Sequence, residues 1–508
     1  MRITNSMTTN RLLMNLNRNA NNVDRLFMQL SSGKVIQRPS DNPIVASRAL
    51  RFRTNVTEVQ QHQRNVAQAQ SWMEVSEQNL HNMTQILTTQ RHELMVQGAS
   101  GTYTFQNRQT ITRVIELMFQ QMHTELNGTF AGRYVFSGFR TDQPPIITQN
   151  NLTTAGPPTN DIEFEISKTV NRQDIQDSEV VFWRDPASTP PGQLNVVATY
   201  QWLNRPDRVP ANWETDPNIN LTVVGSSTAN EGINILRLPY QEVLDDAGNV
   251  IRQFSQLPEF APPSPLAGFV INDVAVGDAP NPYLPPPPGT ITFIRDTGEM
   301  IINGADLHHF NAPGVELNYA IDGVFQGELN PVIFFDTNRI HNGQTMMFSQ
   351  SNQELQFEMG VNTHLTINTQ ARHAVPWQKF ADMASLVRWV NDIHIHPDFD
   401  SNSEEAARER AFFTEQLYSK FTNTMARFDQ HMQITTTEFT ALGSRMDRME
   451  MISIRLDENE DTFRALRDEN ENIDYIEILM RLNSAEAVFQ AAMQIGARVN
   501  QLSLVNFI

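Results

Sequence analysis

His92-Glu93 opens the pattern of a helical zinc protease, in which a second histidine three residues past the glutamate completes the metal-ligand pair. Position 96 is Val, so the second ligand is missing and no zincin site forms. His308-His309 form an adjacent pair, and His394 and His396 flank Ile395. Both read as loop histidines rather than a metal centre. The chain contains no cysteine, which removes thiolate metal sites, disulfides and a Cys nucleophile. It also lacks a Gly-rich phosphate loop and a Gly-x-Ser-x-Gly elbow. Met425, Met432, Met446, Met449 and Met451 suit a packed helical seam better than a ligand set. Asp457-Glu458-Asn459-Glu460-Asp461 reads as a solvated helix face. No pair of carboxylates is placed for acid–base work. These residues point to a protein with no catalytic site, no cofactor and no metal.

The charge excludes other classes. A net charge of −19 over 508 residues argues against general binding to nucleic acid or to an anionic membrane surface. No apolar run approaches the ~20 residues that span a bilayer. Met1-Arg2-Ile3-Thr4-Asn5 lacks the apolar core of a cleaved signal peptide, so the expected routes are the cytoplasm or an export path that reads uncleaved sequence.

Periodicity carries more than any motif. Between residues 44 and 97 an apolar side chain recurs every seven residues: Val45, Phe52, Val59, Val66, Met73, Leu80, Leu87 and Leu94. That spacing predicts one uninterrupted helix, roughly 80 Å long at 1.5 Å per residue. Its companion seam is poorer (Ala49, Val56, Ala69, Ser76, Met83), which fits one member of a several-helix bundle better than a two-stranded coil. Ser40 or Asp41 is the expected N-cap, with Pro43 in the first turn. A third helix is expected over 105–126, a short one over 377–393, and a return helix after 404 whose Leu442, Met449, Leu456 and Phe463 repeat at seven.

Proline divides the chain. Of its 27 prolines only Pro39 and Pro43 lie outside the stretch from Pro144 to Pro397. The ends therefore read as helix and the middle as strands and turns. A hairpin is expected over 290–294 and 300–302, a strand at Val332–Phe335, and a strand pair near 355–358 and 365–367. The expected fold class is α+β: a helical bundle or coiled coil built from both ends, with a β-rich insertion. The expected division is 1–43 with 474–508, then 44–149 with 350–473, then 150–349.

The two terminal helices carry the candidate functional residues. Leu12, Leu16, Val23, Leu26 and Leu30 alternate by four and three, with Asn19 at the missing step. At the other end Asp474 and Glu477 fit a capping box. The stripe that follows runs through Ile476, Met480, Ala487, Ala491, Ile495, Leu502 and Val505. Neither helix can bury its stripe alone, so these residues are expected to bind a partner surface.

Several stretches carry a resemblance. Met1-Arg2-Ile3-Thr4-Asn5-Ser6-Met7, Gln29-Leu30-Ser31-Ser32-Gly33-Lys34 and Arg38-Pro39-Ser40-Asp41-Asn42-Pro43 resemble the amino-terminal signature of the flagellin superfamily. Gly132-Arg133-Tyr134-Val135-Phe136-Ser137-Gly138, Leu442-Gly443-Ser444-Arg445 and Gly496-Ala497-Arg498-Val499 extend the likeness. Pro39-Ser40-Asp41-Asn42-Pro43 favours the hook–filament junction branch over the bulk flagellins. The resemblance implies an extracellular structural subunit of the flagellum, exported unfolded by the flagellar type III apparatus. It implies a chaperone on the carboxyl-terminal helix, self-association in a ring or short helical zone, and contacts to the other hook-associated junction protein and to flagellin. The alternatives are a flagellin proper, or a junction protein whose enlarged middle is a surface adhesin.

Overall fold

The computed structural model describes the chain except for residues 1–4, 101–102, 150–161, 185–193, 204–218, 227–231, 245–249, 261, 263, 277–280, 312, 342, 352, 361, 394–403 and 506–508. Within the helices it leaves out the side chains of 5, 6, 8, 9, 105, 391–393, 404–406, 408–412 and 499–505. The architecture is α+β. Ten α-helices occur among the described residues. Six are long: α1 (Asn5–Ser32), α2 (Pro43–Thr89), α4 (Phe105–Leu126), α8 (Trp377–Ile393), α9 (Glu404–Glu471) and α10 (Tyr475–Val505). Four are short: α3 (Val96–Gly98), α5 (Tyr200–Leu203), α6 (Pro331–Phe334) and α7 (Ala371–Ala374). None among the described residues is long and apolar enough to cross a membrane.

The chain divides into two compact units. The first is Met1–Ala69, Phe357–Leu365 and Asp447–Ile508; the second is Gln70–Gln356 and Thr366–Met446.

Both seams of α2 face inward. Val59, Val66, Met73, Leu80 and Leu87 are buried, as are Ala49, Val56, Ala69, Ser76 and Met83 of the weaker seam. Ser76 sits there at no cost in unmet polarity, because its hydroxyl donates to the Trp72 carbonyl at 2.9 Å. The rod is not uninterrupted. Gln90–Met95 forms a π-helical turn, and the inward position after Leu87 is Met95 rather than Leu94. One extra residue in that turn shifts the phase by one. Gln90, fully buried, uses its amide to donate to the Ile115 carbonyl at 3.3 Å.

The N-cap of α2 is Asn42, which accepts from the Ile44 and Val45 amides at 3.2 and 3.4 Å. Asp41 instead accepts from the Gln37 and Arg38 amides, closing the turn before it. In the first unit α9 lies along α2, with Gln60 donating to Glu460 and Gln63 to Asp457, both at 2.7 Å. In the second unit Arg91 grips Asp429 with two bonds of 2.6 and 2.9 Å.

The β-rich part of the second unit holds two five-stranded sheets and a three-stranded one. One sheet is ordered Phe254–Phe260, Val315–Asp322, Ile162–Val170, Asp336–His341, Gln344–Phe348, antiparallel throughout. The other is ordered Val270–Val274, Thr290–Ile294, Glu299–Ile302, Ile233–Arg237, Ile175–Ser178. It contains the expected hairpin, with Ile291 opposite Ile302. Its inner face (Ile233, Ile235, Ile294, Ile301) packs on Val181, Trp183, Val197 and Val224 of the three-stranded sheet. Val332–Phe335 is not a strand. Asn330 accepts from the Val332 amide and Pro331 takes the first helical position, so the segment turns into α6. The strand pair expected near 355–358 and 365–367 forms, with bounds Gln356–Gly360 and Thr363–Thr366.

Candidate assembly interface

Leu12, Leu16, Asn19, Val23, Leu26 and Leu30 define one face of α1, and all are shielded while most of their chain neighbours are exposed. Leu26 is only 5% exposed and packs with Ile473, Ile478 and Leu482; Val23, Leu30, Val35 and Ala485 close around them. The first and last helices of the chain thus share one apolar seam. On α10 that seam continues from Ile478 and Leu482 through Ala485, Phe489, Ala492 and Gly496, spaced alternately by four and three. Asn19 falls within the seam, a polar step among leucines.

The α10 stripe read from sequence lies elsewhere. Ile476, Met480 and Ile495 are 73%, 61% and 56% exposed. Ile476 and Met480 point away from α1, because each lies two residues from a seam position and residues two apart on a helix face nearly opposite ways; Ile495, beside Gly496, lies at the flank of the seam. Ala487 and Ala491 are exposed on the same side as Ile476 and Met480. The side chains of Leu502 and Val505 lie outside the described residues. Leu479, Val488 and Met493 are also exposed, so α10 is apolar on nearly every side. On α1 the exposed side is rich in asparagine, with Leu13, Met14 and Phe27 bare among them.

The joint between the two helices is polar and built from residues that periodicity cannot read. Gly33 ends α1 with φ +70°, its amide donating to the Gln29 carbonyl at 2.9 Å. The Ile473 amide donates to Gly33 at 3.1 Å, and the Val35 amide to Glu471 at 2.8 Å. The Glu471 carboxylate takes two bonds from Arg53, at 2.7 and 2.8 Å, and one from Lys34 at 3.3 Å. The Arg53 bonds hold it below the usual carboxylate range, against burial, with Lys34 helping. Asp474 caps α10 by accepting from the Ile476 and Glu477 amides at 2.9 and 3.2 Å. Glu477 reaches forward to Arg481.

Gly496 marks a close approach of α10 to α1. A Cβ placed there would lie 3.3 Å from Leu12 Cδ2 and 3.6 Å from Leu16 Cδ1. Gly496→Ala is expected to be near neutral, since a helix-propensity gain of about 1 kcal/mol offsets the crowding. Gly496→Leu is expected to pry the helices apart at a cost of about 2 kcal/mol. Hydrogen exchange over residues 10–20 checks this, with faster exchange for the Leu variant alone.

His92 is exposed on the π-turn. His308 Nδ1 lies 2.7 Å from the Ala305 carbonyl, and its ring centroid is 3.8 Å from that of His309. His394 and His396 lie outside the described residues. No group of three or more His, Cys, Asp or Glu among the described residues could hold a metal ion. Of the methionines, Met449 is buried and Met451 is 64% exposed, so the proposed seam is only partly a seam.

Residues 3–141 match the family described as the bacterial flagellin N-terminal helical region. Flagellar hook-associated protein 3 of Salmonella typhimurium is 29% identical over 124 residues, covering 24% of this chain and 38% of that protein. Its namesake in Escherichia coli is 27% identical over 130 residues, covering 25% and 40%. The matched stretches thus span about two fifths of those relatives. A solved structure of flagellar hook associated protein-3 from Legionella pneumophila aligns at 12% identity and TM-score 0.33, over 82% of this chain and 97% of that one. Xanthomonas campestris FlgL aligns at 12% identity and TM-score 0.31, over 82% and 98%.

Proposed function

From residues 3–141, which are of the bacterial flagellin N-terminal helical family, we propose that the chain is a structural subunit of the bacterial flagellum and serves as an adaptor at the hook–filament junction. One observation carries the reading: the two terminal helices hold each other along one seam, while α10 keeps a second apolar face bare. A surface helix normally shows one apolar stripe, and a helix apolar on nearly every side belongs inside something larger. Copies of the same chain supply that surrounding.

In this reading 1–43 with 474–508 is the assembling part, 44–149 with 350–473 the bundle, and 150–349 an insertion. Leu12, Leu16, Val23, Leu26 and Leu30 hold α10 in place. Ile476, Met480 and Ile495, with Leu502 and Val505, meet neighbouring subunits. Each such side chain contributes roughly 1.5–3 kcal/mol when buried, enough in sum to order helices that are marginal alone. The partners are further copies, the other hook-associated junction protein and flagellin, outside the cell. Before assembly the exposed face of α10 needs cover, a role for an export chaperone. The protein acts by shape and contact rather than by catalysis.

Deletion of the gene followed by electron microscopy tests the assignment. The expected result is cells that bear hooks and shed unpolymerised flagellin into the medium. Hooks capped by normal filaments would refute the junction role. Loss of filament without shed flagellin would instead mark a bulk filament subunit.

A further inference from the structure

A cleft of about 580 Å³ opens in the second unit between the three-stranded sheet, α8 and α9. That volume falls in the range of small-molecule sites, roughly 300–1,000 Å³. Its lining combines aromatic rings with fixed polar groups, and none of it belongs to the terminal helices. Trp389 is half-buried at one wall and Tyr418 is 37% exposed at the rim. Gln416 also lines the cleft, is 1% exposed, and leaves both its Nε2 and its Oε1 without a hydrogen-bond partner. A buried carboxamide with neither its donor nor its acceptor met is rare in a folded protein.

The charges beside the cleft are already matched. Glu299 accepts from Arg237 at 2.8 Å, from Arg388 at 2.9 Å and from the Tyr283 hydroxyl at 2.8 Å. This locks the carboxylate between the two guanidinium groups. Burial lowers the Lys420 amine from its normal range; it donates to the Ser385 hydroxyl at 3.1 Å and lies 4.9 Å from the centre of the Trp389 ring. The lining as a whole carries three acidic residues (Asp177, Glu179, Glu299) and three basic ones (Arg237, Arg388, Lys420), so it favours neither sign of ligand charge.

We propose that this cleft is a saccharide-binding site, taking a neutral hexose unit of a glycan. A hexose offers an apolar C–H face to aromatic rings and a row of hydroxyls that both donate and accept. Tyr418 at the rim supplies the ring, while Trp389, packed on Phe182 and beside Lys420, stiffens the wall behind it. The planar Gln416 amide gives one acceptor and one NH2 donor in a fixed geometry, matching two adjacent hydroxyls. Filling the cleft meets the polar atoms that folding left unmet. The proposal is independent of the flagellar assignment, since it rests on residues 176–423 alone and its readout is binding.

Saturation-transfer NMR on the full chain with free glucose, galactose, mannose and N-acetylglucosamine tests it. At least one sugar is expected to bind and to saturate. Gln416→Met keeps the volume and removes both polar atoms; it is expected to weaken that sugar by about tenfold. Tyr418→Ala, at the exposed rim, is expected to weaken it comparably and serves as the deciding variant should Gln416→Met fail to fold. Absence of saturable binding by all four sugars overturns the proposal. So does wild-type affinity in a folded Gln416→Met or in Tyr418→Ala.

Discussion

Leu26→Asp is expected to abolish the pairing of α1 with α10 and to keep the subunit out of flagella, while residues 70–356 and 366–446 stay folded. Leu26 is the most buried residue of the α1 seam, enclosed by Ile473, Ile478 and Leu482. Removing a core leucine costs about 2–5 kcal/mol. A carboxylate in its place either stays unpaired in an apolar pocket or forces the pocket open. The helices have little with which to resist. The Asn-rich α1 is a mediocre helix former and is held chiefly by burial of one face. Hydrogen exchange is expected to accelerate across residues 10–32 and 475–498, and the variant is expected to be missing from purified hook–filament particles. Asn17→Asp, on the exposed side of α1, is the matched control and should leave the pair intact. Motile cells with normal filaments carrying Leu26→Asp would sink the assembly mechanism.

The contrast between the two terminal helices shows what a sequence reveals and what it hides. On α1 the apolar and asparagine-rich sides differ sharply, so the inward face can be read directly from Leu12 to Leu30. On α10 apolar residues occur all round, and periodicity fixes no single phase. The heptad spacing picks out Ile476, Met480 and Ile495, whereas the seam against α1 uses Ile478, Leu482, Ala485 and Gly496. Gly496 was visible as a family-like motif, but its close contact with Leu12 and Leu16 depends on how two distant segments meet. The π-turn at Gln90–Met95 is hidden for a similar reason. Leu94 and Met95 are both apolar, and only packing decides which of them points inward. Val332–Phe335 looks like a strand from its side chains, yet Asn330 and Pro331 set the backbone as a helical turn. In the insertion Ile162–Val170 pairs with Val315–Asp322 and Asp336–His341. Single strands were legible there, but the register between partners about 150 residues apart was not. The Gln416 cleft escaped for the same reason: its walls come from many separate stretches of chain between Asp177 and Asn423.

Glu299→Gln is expected to destabilise the second unit at neutral pH by about 3 kcal/mol, and the deficit should vanish in acid. Glu299 is 3% exposed and lies between Arg237 and Arg388, with the Tyr283 hydroxyl donating to its other oxygen. Burial alone would raise its pKa. Arg388 and Arg237 outweigh that, and together with the Tyr283 and Arg237 hydrogen bonds they bring it down to about 2 from an ordinary 4.5. A carboxyl whose folded value is depressed contributes its stability fully above the unfolded value and loses it as pH falls through the folded one. The window is therefore from about pH 5 down to about pH 2, and the shift corresponds to about 3 kcal/mol. Tyr283 remains a neutral donor throughout, because burial pushes its phenol well above its ordinary range. Glutamine keeps the volume but leaves two neighbouring guanidinium groups without their shared anion. Urea unfolding of both proteins at several pH values provides the measurement. The gap between wild type and Glu299→Gln should be largest near neutrality and close progressively below about pH 4. A gap that is constant with pH would mean that shape rather than charge makes Glu299 important.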